Sequence, residues 1–355
     1  MTSSGTSVGR HGTATSPAVG RRRRPSFERM LFFLLFLGVP LAVYLMFVVS
    51  PFLQAFYYSL TNWSGLSPTM DFIGLDNYER ILGDVVFWTS LRNNLVLLIV
   101  LPTITITLSF ALAVMVTIGG STHGGVRGVR GAGFYRVISF FPYAVPAVIT
   151  GILFAFIFHP NGGLLNGTLN LFMPAVNGAL GLASPVIDPL RALVGAAPME
   201  LPLADIRIAW LGDQRFALPA VAFAMIWTFV GFYMVLFVAS IKSIPQEVLE
   251  AARIDGAGRL RSAVQVVAPM VRDNISTAVV YIGIFALDAF TFISVMTPNG
   301  GTDNSTKVVS LHLYQTAFRD GRFGEASAMG VLMALITMAV AVVVIGLGRA
   351  RKDER

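Results

Sequence analysis

The chain has 355 residues, of which 55% are hydrophobic and only 13% charged, with a formal net charge of +7 and a mean hydropathy of +0.70. Soluble domains carry about twice that charge fraction, so the composition disfavours a large soluble core, which is the weaker alternative, and gives no reason to expect a nucleic-acid partner. It indicates an all-α integral membrane protein. The absence of cysteine rules out disulfides, thiolate metal sites and thiol nucleophiles.

The first 29 residues are rich in Ser, Thr, Gly and Arg and end in RRRRPSFER. They cannot bury a core and read as a disordered basic cytoplasmic tail. A membrane-crossing helix needs about 20 apolar residues. Six stretches meet that length, at about 30–51, 94–117, 137–158, 217–240, 274–296 and 326–348. Prolines within them (Pro40, Pro102, Pro142, Pro146 and Pro219) are tolerable where neighbouring helices satisfy the freed backbone groups. Between the first two spans, FIGLDNYERILGDVVFWTSL is amphipathic and is expected along the outer interface. The 159–216 loop contains an insertion at about 170–205, expected as short proline-bounded helices. The last six residues, 350–355, form a second tail.

Charge sets the orientation. The N-terminal tail, the 118–136 loop, the 241–273 loop and the C-terminal tail hold 18 of the Lys and Arg residues, and the three alternating loops hold eight. By the positive-inside rule both termini are cytoplasmic, and so is the 241–273 loop. Its 118–136 counterpart contains GGVRGVRGAG. Without a preceding strand or dinucleotide spacing, that glycine repeat reads as a flexible basic loop near anionic headgroups rather than a phosphate cradle.

No nucleotide-binding, hydrolase or zinc-protease fingerprint occurs, no span contains a carboxylate pair, and the four histidines (His11, His123, His159 and His312) form no ligand-spaced cluster. No metal or directly bound cofactor is therefore expected. Within the 241–273 loop, Ser243 followed by Pro245 is a plausible helix start. Glu247 to Asp255 are mostly good helix formers, Gly256 and Gly258 permit a turn, a second helix follows from Arg259 to Val267, and Pro269 resets the chain before the fifth span. Residues alone leave two readings: a helix–turn–helix surface for another protein, or a solvated connector.

In the spans, Asp288 is an ionisable residue near the middle of the fifth and is a functional candidate by default. Tyr281, Phe285 and Asp288 are spaced i, i+4, i+7 and share a helix face. Met225, Phe229 and Phe232 repeat that spacing on the fourth span, with Thr228 beside them. Aromatic rings and a carboxylate suit a sugar, whose apolar faces stack and whose hydroxyls donate. Ordinary helix–helix packing is the alternative.

Glu250-Ala251-Ala252, three residues, Gly256, nine residues, then Val266-Val267-Ala268-Pro269 resembles the EAA loop of ATP-binding-cassette importer permeases, written E-A-A, three residues, G, nine residues, I-x-L-P. FIGLDNYERIL, FYRVISFFPYAVPAVITGILFAFIF, GLLN and AWLGDQRFALPAVAFAMIW resemble the carbohydrate-uptake, maltose-permease-like branch. The likeness covers about 30–349 and leaves out the insertion and the N-terminal tail. It implies a six-span permease domain of the type I importer fold in a bacterial cytoplasmic membrane. It also implies a second homologous permease chain, an extracytoplasmic sugar-binding protein, and two ATPase subunits (or a homodimer) that carry the ATP and magnesium. Glu250, Ala251, Ala252, Asp255, Gly256, Arg259 and Pro269 would then couple to the ATPase. The fourth- and fifth-span faces would contact substrate, although the branch's usual acidic position corresponds to Thr291 here. A stand-alone transporter driven by an ion gradient, with Asp288 as its ion site, is the competing function.

Overall fold

The computed structural model describes residues 31–118, 128–193 and 205–353. The N-terminal tail and the first four residues of the GGVRGVRGAG repeat lie outside them. Two compact units are distinguished, Met1–Gln54 and Ala55–Arg355. Among the described residues regular structure is helical, apart from one isolated bridge between Thr61 and Phe72.

Helix α1 spans Leu31–Tyr58, and its most apolar stretch has no buried residue. It contains π-helical turns at Leu34–Gly38 and Leu45–Val49. Each ends two residues before a proline, Pro40 or Pro51. A third π-turn, Ala263–Val267, stands in the same relation to Pro269. Proline lacks an N–H, and its ring strikes the carbonyl four residues back. In all three cases that carbonyl (Phe36, Phe47 or Gln265) lies in the widened turn; α1 continues through Pro40 and Pro51, whereas the helix holding Pro269 ends one residue after it.

In the second unit, α2 (Asp76–Gly83) is a short amphipathic helix, and VVFWTSL already belongs to α3 (Val85–Ile118). The expected third span is two helices, α4 (Ala132–Ala144) and α5 (Ala147–Ile157), bent by 95°. Pro146 is the cause: it holds Val145 extended (ψ 131°) and starts a new helix behind it. Helix α6 (Leu164–Asn170) precedes α7 (Met173–Leu193), which is one long helix with Pro185 and Pro189 inside it rather than short pieces bounded by prolines.

Helix α8 (Ala217–Lys242) is the centre of the unit, packed against α3 and α4. Buried Val221, Met225, Phe237 and Ile241 run along it. At Gly231 an added Cβ would lie 1.5 Å from the Ser139 carbonyl oxygen, so only glycine permits this approach of α4. The Ser109 hydroxyl of α3 donates to the Val230 carbonyl at 2.7 Å on the same turn.

After α9 (Gln246–Ile254), α10 (Arg259–Met270) meets α11 (Arg272–Asp288) at a 78° bend. The expected fifth span therefore starts at this corner, and it breaks again at Ala289 before α12 (Phe290–Met296). Helices α13 (Val309–Phe318) and α14 (Phe323–Asp353) pack on each other, and α14 carries the sixth span helically into the expected tail. Six apolar segments coincide with the six expected spans. A seventh, Leu164–Pro189, has the length and hydropathy to cross a membrane but falls within the expected outer loop.

Candidate coupling loop and translocation pathway

The 241–273 loop folds as two helices around a tight stop. The Ser243 hydroxyl does not cap α9: it donates back to the Ser240 carbonyl at 2.7 Å, and Pro245 occupies the N-cap position. At the other end the Gly256 N–H donates to the Arg253 carbonyl at 3.0 Å and the Ala257 N–H to the Ala252 carbonyl at 2.9 Å. With Gly256 at φ +78°, this pair of bonds is a Schellman stop. The E-A-A, three residues, G spacing therefore has a local cause: Ala252 and Arg253 supply the carbonyls that the left-handed glycine closes. Gly258 then caps α10, and the Ser262 hydroxyl donates to the Ala257 carbonyl at 3.2 Å.

One side of this hairpin is anchored and the other is open. Leu249 is buried, and the Arg253 guanidinium donates to the Ile118 carbonyl at the end of α3, at 3.3 Å. Between them lies a cavity of about 360 Å³, also lined by Gly258 and Ser262. Ala251, Asp255, Gly256 and Arg259 are exposed, with Glu250 and Ala252 half-buried. Pro269 lies within α10, two residues before the corner at Val271. Sequence reasoning did not identify Arg253, which ties the loop to a span, or Ile254, whose side chain is 86% exposed.

The pathway candidates divide. Tyr281, Phe285 and Asp288 all lie exposed on one face of α11. On α8, Met225 and Thr228 are buried, and the Thr228 hydroxyl donates within its own helix to the Ala224 carbonyl at 2.8 Å. Phe229 joins the helices, its ring centroid 5.2 Å from that of Phe285. Phe232 stacks at 4.4 Å on Tyr143, the residue just before the bend in the third span. Tyr143, between Pro142 and Pro146, was not among the expected pathway residues.

The residues 115–350 match the family described as binding-protein-dependent transport system inner membrane component. The chain belongs to this family. It is 45% identical over 324 residues (91% of this chain, 84% of the relative) to a protein of Streptomyces coelicolor named as a diacetylchitobiose uptake system permease protein. It is 30% identical over 314 residues (88% and 94%) to a multiple sugar-binding transport system permease protein of Streptococcus mutans. Its fold is similar to that of a solved bacterial ABC transporter involved in the import of the acidic polysaccharide alginate, with TM-score 0.67, 18% identity, and 91% of this chain and 96% of that chain covered.

The protein is thus a multi-pass permease subunit of an ABC importer, a transport component rather than an enzyme, and the stand-alone ion-driven alternative is set aside. The break in the permease's fifth span is held by groups that the sequence did not single out. At the end of α11 the Asn94 amide donates to the Leu287 carbonyl at 2.7 Å and the Ala286 carbonyl at 3.3 Å, while its oxygen accepts the Val309 N–H at 2.9 Å. The Ser310 hydroxyl donates to the Asp288 carbonyl at 2.7 Å. Three carbonyls released by the break are therefore satisfied from α3 and α13. Neighbouring Asn93 donates to the Asn304 and Lys307 carbonyls, fixing the loop that follows α12. Burial pulls the Lys307 ammonium below its usual pKa range, while nearby Asp84 works in the opposite direction. Two loop segments are joined where the Thr302 hydroxyl donates to the Gly212 carbonyl at 2.7 Å and Gln214 donates to Asp303.

Proposed function

We propose that the protein is the permease subunit of an ATP-driven importer of a sugar or oligosaccharide in a bacterial cytoplasmic membrane. It forms half of the translocation pathway, and a second homologous permease forms the other half. Two ATPase subunits, which bind the ATP and magnesium, dock on the EAA hairpins, and an extracytoplasmic sugar-binding protein docks on the opposite side, on the 54–93, 159–216 and 297–325 loops. Residues 1–29 and 350–355 are cytoplasmic tails around a permease domain at 30–349. The Streptomyces relative makes a diacetylated amino-sugar disaccharide the first substrate to test.

The observation that carries this reading is the stopped helix α9. It presents Glu250, Ala251 and Ala252, ends rigidly at Gly256, and is joined through Arg253 to α3. Such an element passes a rigid-body displacement from one subunit to another. ATP binding would close the ATPase pair, move the hairpins and shift the pathway between inward- and outward-open populations. Asp255 and Arg259 flank the same open surface, and Pro269 marks where α10 turns into the membrane.

Glu250→Arg in the assembled transporter is expected to lower substrate uptake and binding-protein-stimulated ATP hydrolysis by about tenfold or more, since reversing a charge in a docked interface is costly. Insertion of the chain should be unchanged, as the Glu250 carboxylate makes no hydrogen bond or ion pair among the described residues. Undiminished uptake would overturn the coupling role.

The pathway is proposed to run past Tyr281, Phe285 and Asp288 on α11, with Phe229 and Phe232 of α8 behind them and Met225 and Thr228 shaping the buried side. Asp288→Asn removes a charged hydrogen-bond acceptor. It should raise the KM for sugar about tenfold while leaving sugar-independent ATP turnover of the complex in place. An unaltered KM and substrate range would remove Asp288 from the site.

A further inference from the structure

A groove lies between the last turns of α3 and helix α10. Its volume is about 610 Å³, and its lining is apolar except for Thr107 and Arg259. Ile106, Phe110 and Val114 form one wall, Leu260 and Val264 the other. Leu260 is 79% exposed and Val264 59%, so α10 turns an apolar edge outward beside the opening.

The dimensions fit a lipid tail. From Ile106 to Ile118 α3 rises about 18 Å at 1.5 Å per residue, against about 15 Å for half a bilayer core. At the Ile118 end the wall includes Arg259 and Val129. Val129 is pinned there by its N–H bond to the Val116 carbonyl at 3.3 Å, and its neighbour Arg130 is exposed. No carboxylate lines the groove. A cytoplasmic segment of a homologous permease would itself be basic under the positive-inside rule, and would bring like charge to this rim. A phosphate brings the opposite charge.

We propose that the groove seats one acyl chain of an anionic phospholipid from the inner leaflet, with Arg130 and Arg259 at its phosphate. The placement in that leaflet rests on the cytoplasmic reading of the 241–273 loop. The seated chain would fill the angle between α3 and α10, and so stiffen the same helix pair that supports the coupling hairpin.

The test uses the assembled transporter equilibrated with equimolar phosphatidylglycerol and phosphatidylcholine, followed by native mass spectrometry. The wild type is expected to retain one phosphatidylglycerol per copy of this chain. Ala111→Trp, which fills the groove, should reduce retention at least about tenfold. Val264→Trp serves where Ala111→Trp does not assemble. Arg130→Gln should keep a bound lipid but lose most of the preference for phosphatidylglycerol. No retained lipid in the wild type, retention indifferent to both tryptophan variants, or a preference unchanged in Arg130→Gln would overturn the proposal. So would a cross-link from Ala111→Cys, in this otherwise cysteine-free chain, to the second permease. Labelling of Asp255→Cys by a membrane-impermeant thiol reagent in inside-out and right-side-out vesicles tests the orientation separately.

Discussion

Asn94 is 0% exposed and closes three backbone groups with one amide. A helix that ends inside a membrane leaves carbonyls that lipid cannot satisfy, and here the nearest suitable donor is on another span. Asn94→Ala would strand the Ala286 and Leu287 carbonyls and the Val309 N–H together. At about 1–3 kcal/mol for each buried polar group left unpaired, offset by relaxation, the expected loss is roughly 2–4 kcal/mol. It should appear as a lower melting temperature of the purified complex, while Asn94→Asp should recover the acceptor but not the donors. The Asn93-Asn94 pair at the head of an apolar run was visible in the sequence as a polar interruption, but its partners lie about two hundred residues away, and no local pattern names them. Gly256 is the contrasting case. Its left-handed φ and the spacing from Ala252 are local properties, so the stop of α9 was legible before the structure was known.

The same contrast holds for whole helices. Hydropathy placed six apolar segments that overlap apolar helices or bent helix pairs, because burial in lipid depends on local composition. It missed both breaks, at Val145–Pro146 and at Ala289, because neither is marked by composition. Pro40 and Pro51 follow π-turns, and Pro102 and Pro142 lie inside continuous α-helices, whereas Pro146 starts a new helix and the Ala289 break has no proline beside it. Helix pairing was equally hidden. The α4–α8 contact depends on Gly231, where a methyl group would meet the Ser139 carbonyl oxygen rather than a side chain that can swing away. Gly231→Ala is therefore expected to force the helices apart and to cost about 1–3 kcal/mol, as overpacking does, although alanine is the better helix former. A thermal-stability series of the complex would check the sign: an increase in melting temperature would mean that α4 is not held against α8 at this turn. Because Tyr143 rides on α4 and stacks on Phe232, the same variant should also disturb the pathway face.

At the scale of the molecule, the family pattern accounted for the permease fold, but the 170–205 segment lay outside it, and its composition alone predicted short helices where α7 is long. What decides its role in the fold is how it leaves and returns. The Asn170 amide donates to the Ile206 carbonyl at 3.1 Å, and its oxygen accepts the Ile206 N–H at 2.7 Å. One turn earlier, Asn166 donates to the Ile208 carbonyl at 3.0 Å and accepts from the Trp210 indole at 2.9 Å. Both ends of the insertion are thus fastened to α6, and α7 packs chiefly on α6 rather than on α3, α8 or α11. Replacing residues 175–203 with a short Gly-Ser linker leaves both asparagine clasps and buried Met173 in place. Closing a flexible loop between ends already held together adds little entropy cost, so the melting temperature of the complex should stay within about 4 °C of the wild type. Asn170→Ala in the full-length chain should be more disruptive than the deletion, because it removes one of the two clasps while keeping the load between them. The opposite ranking, a tolerated Asn170→Ala and a deletion that prevents assembly, would make α7 a structural part of the permease instead of an excursion from it.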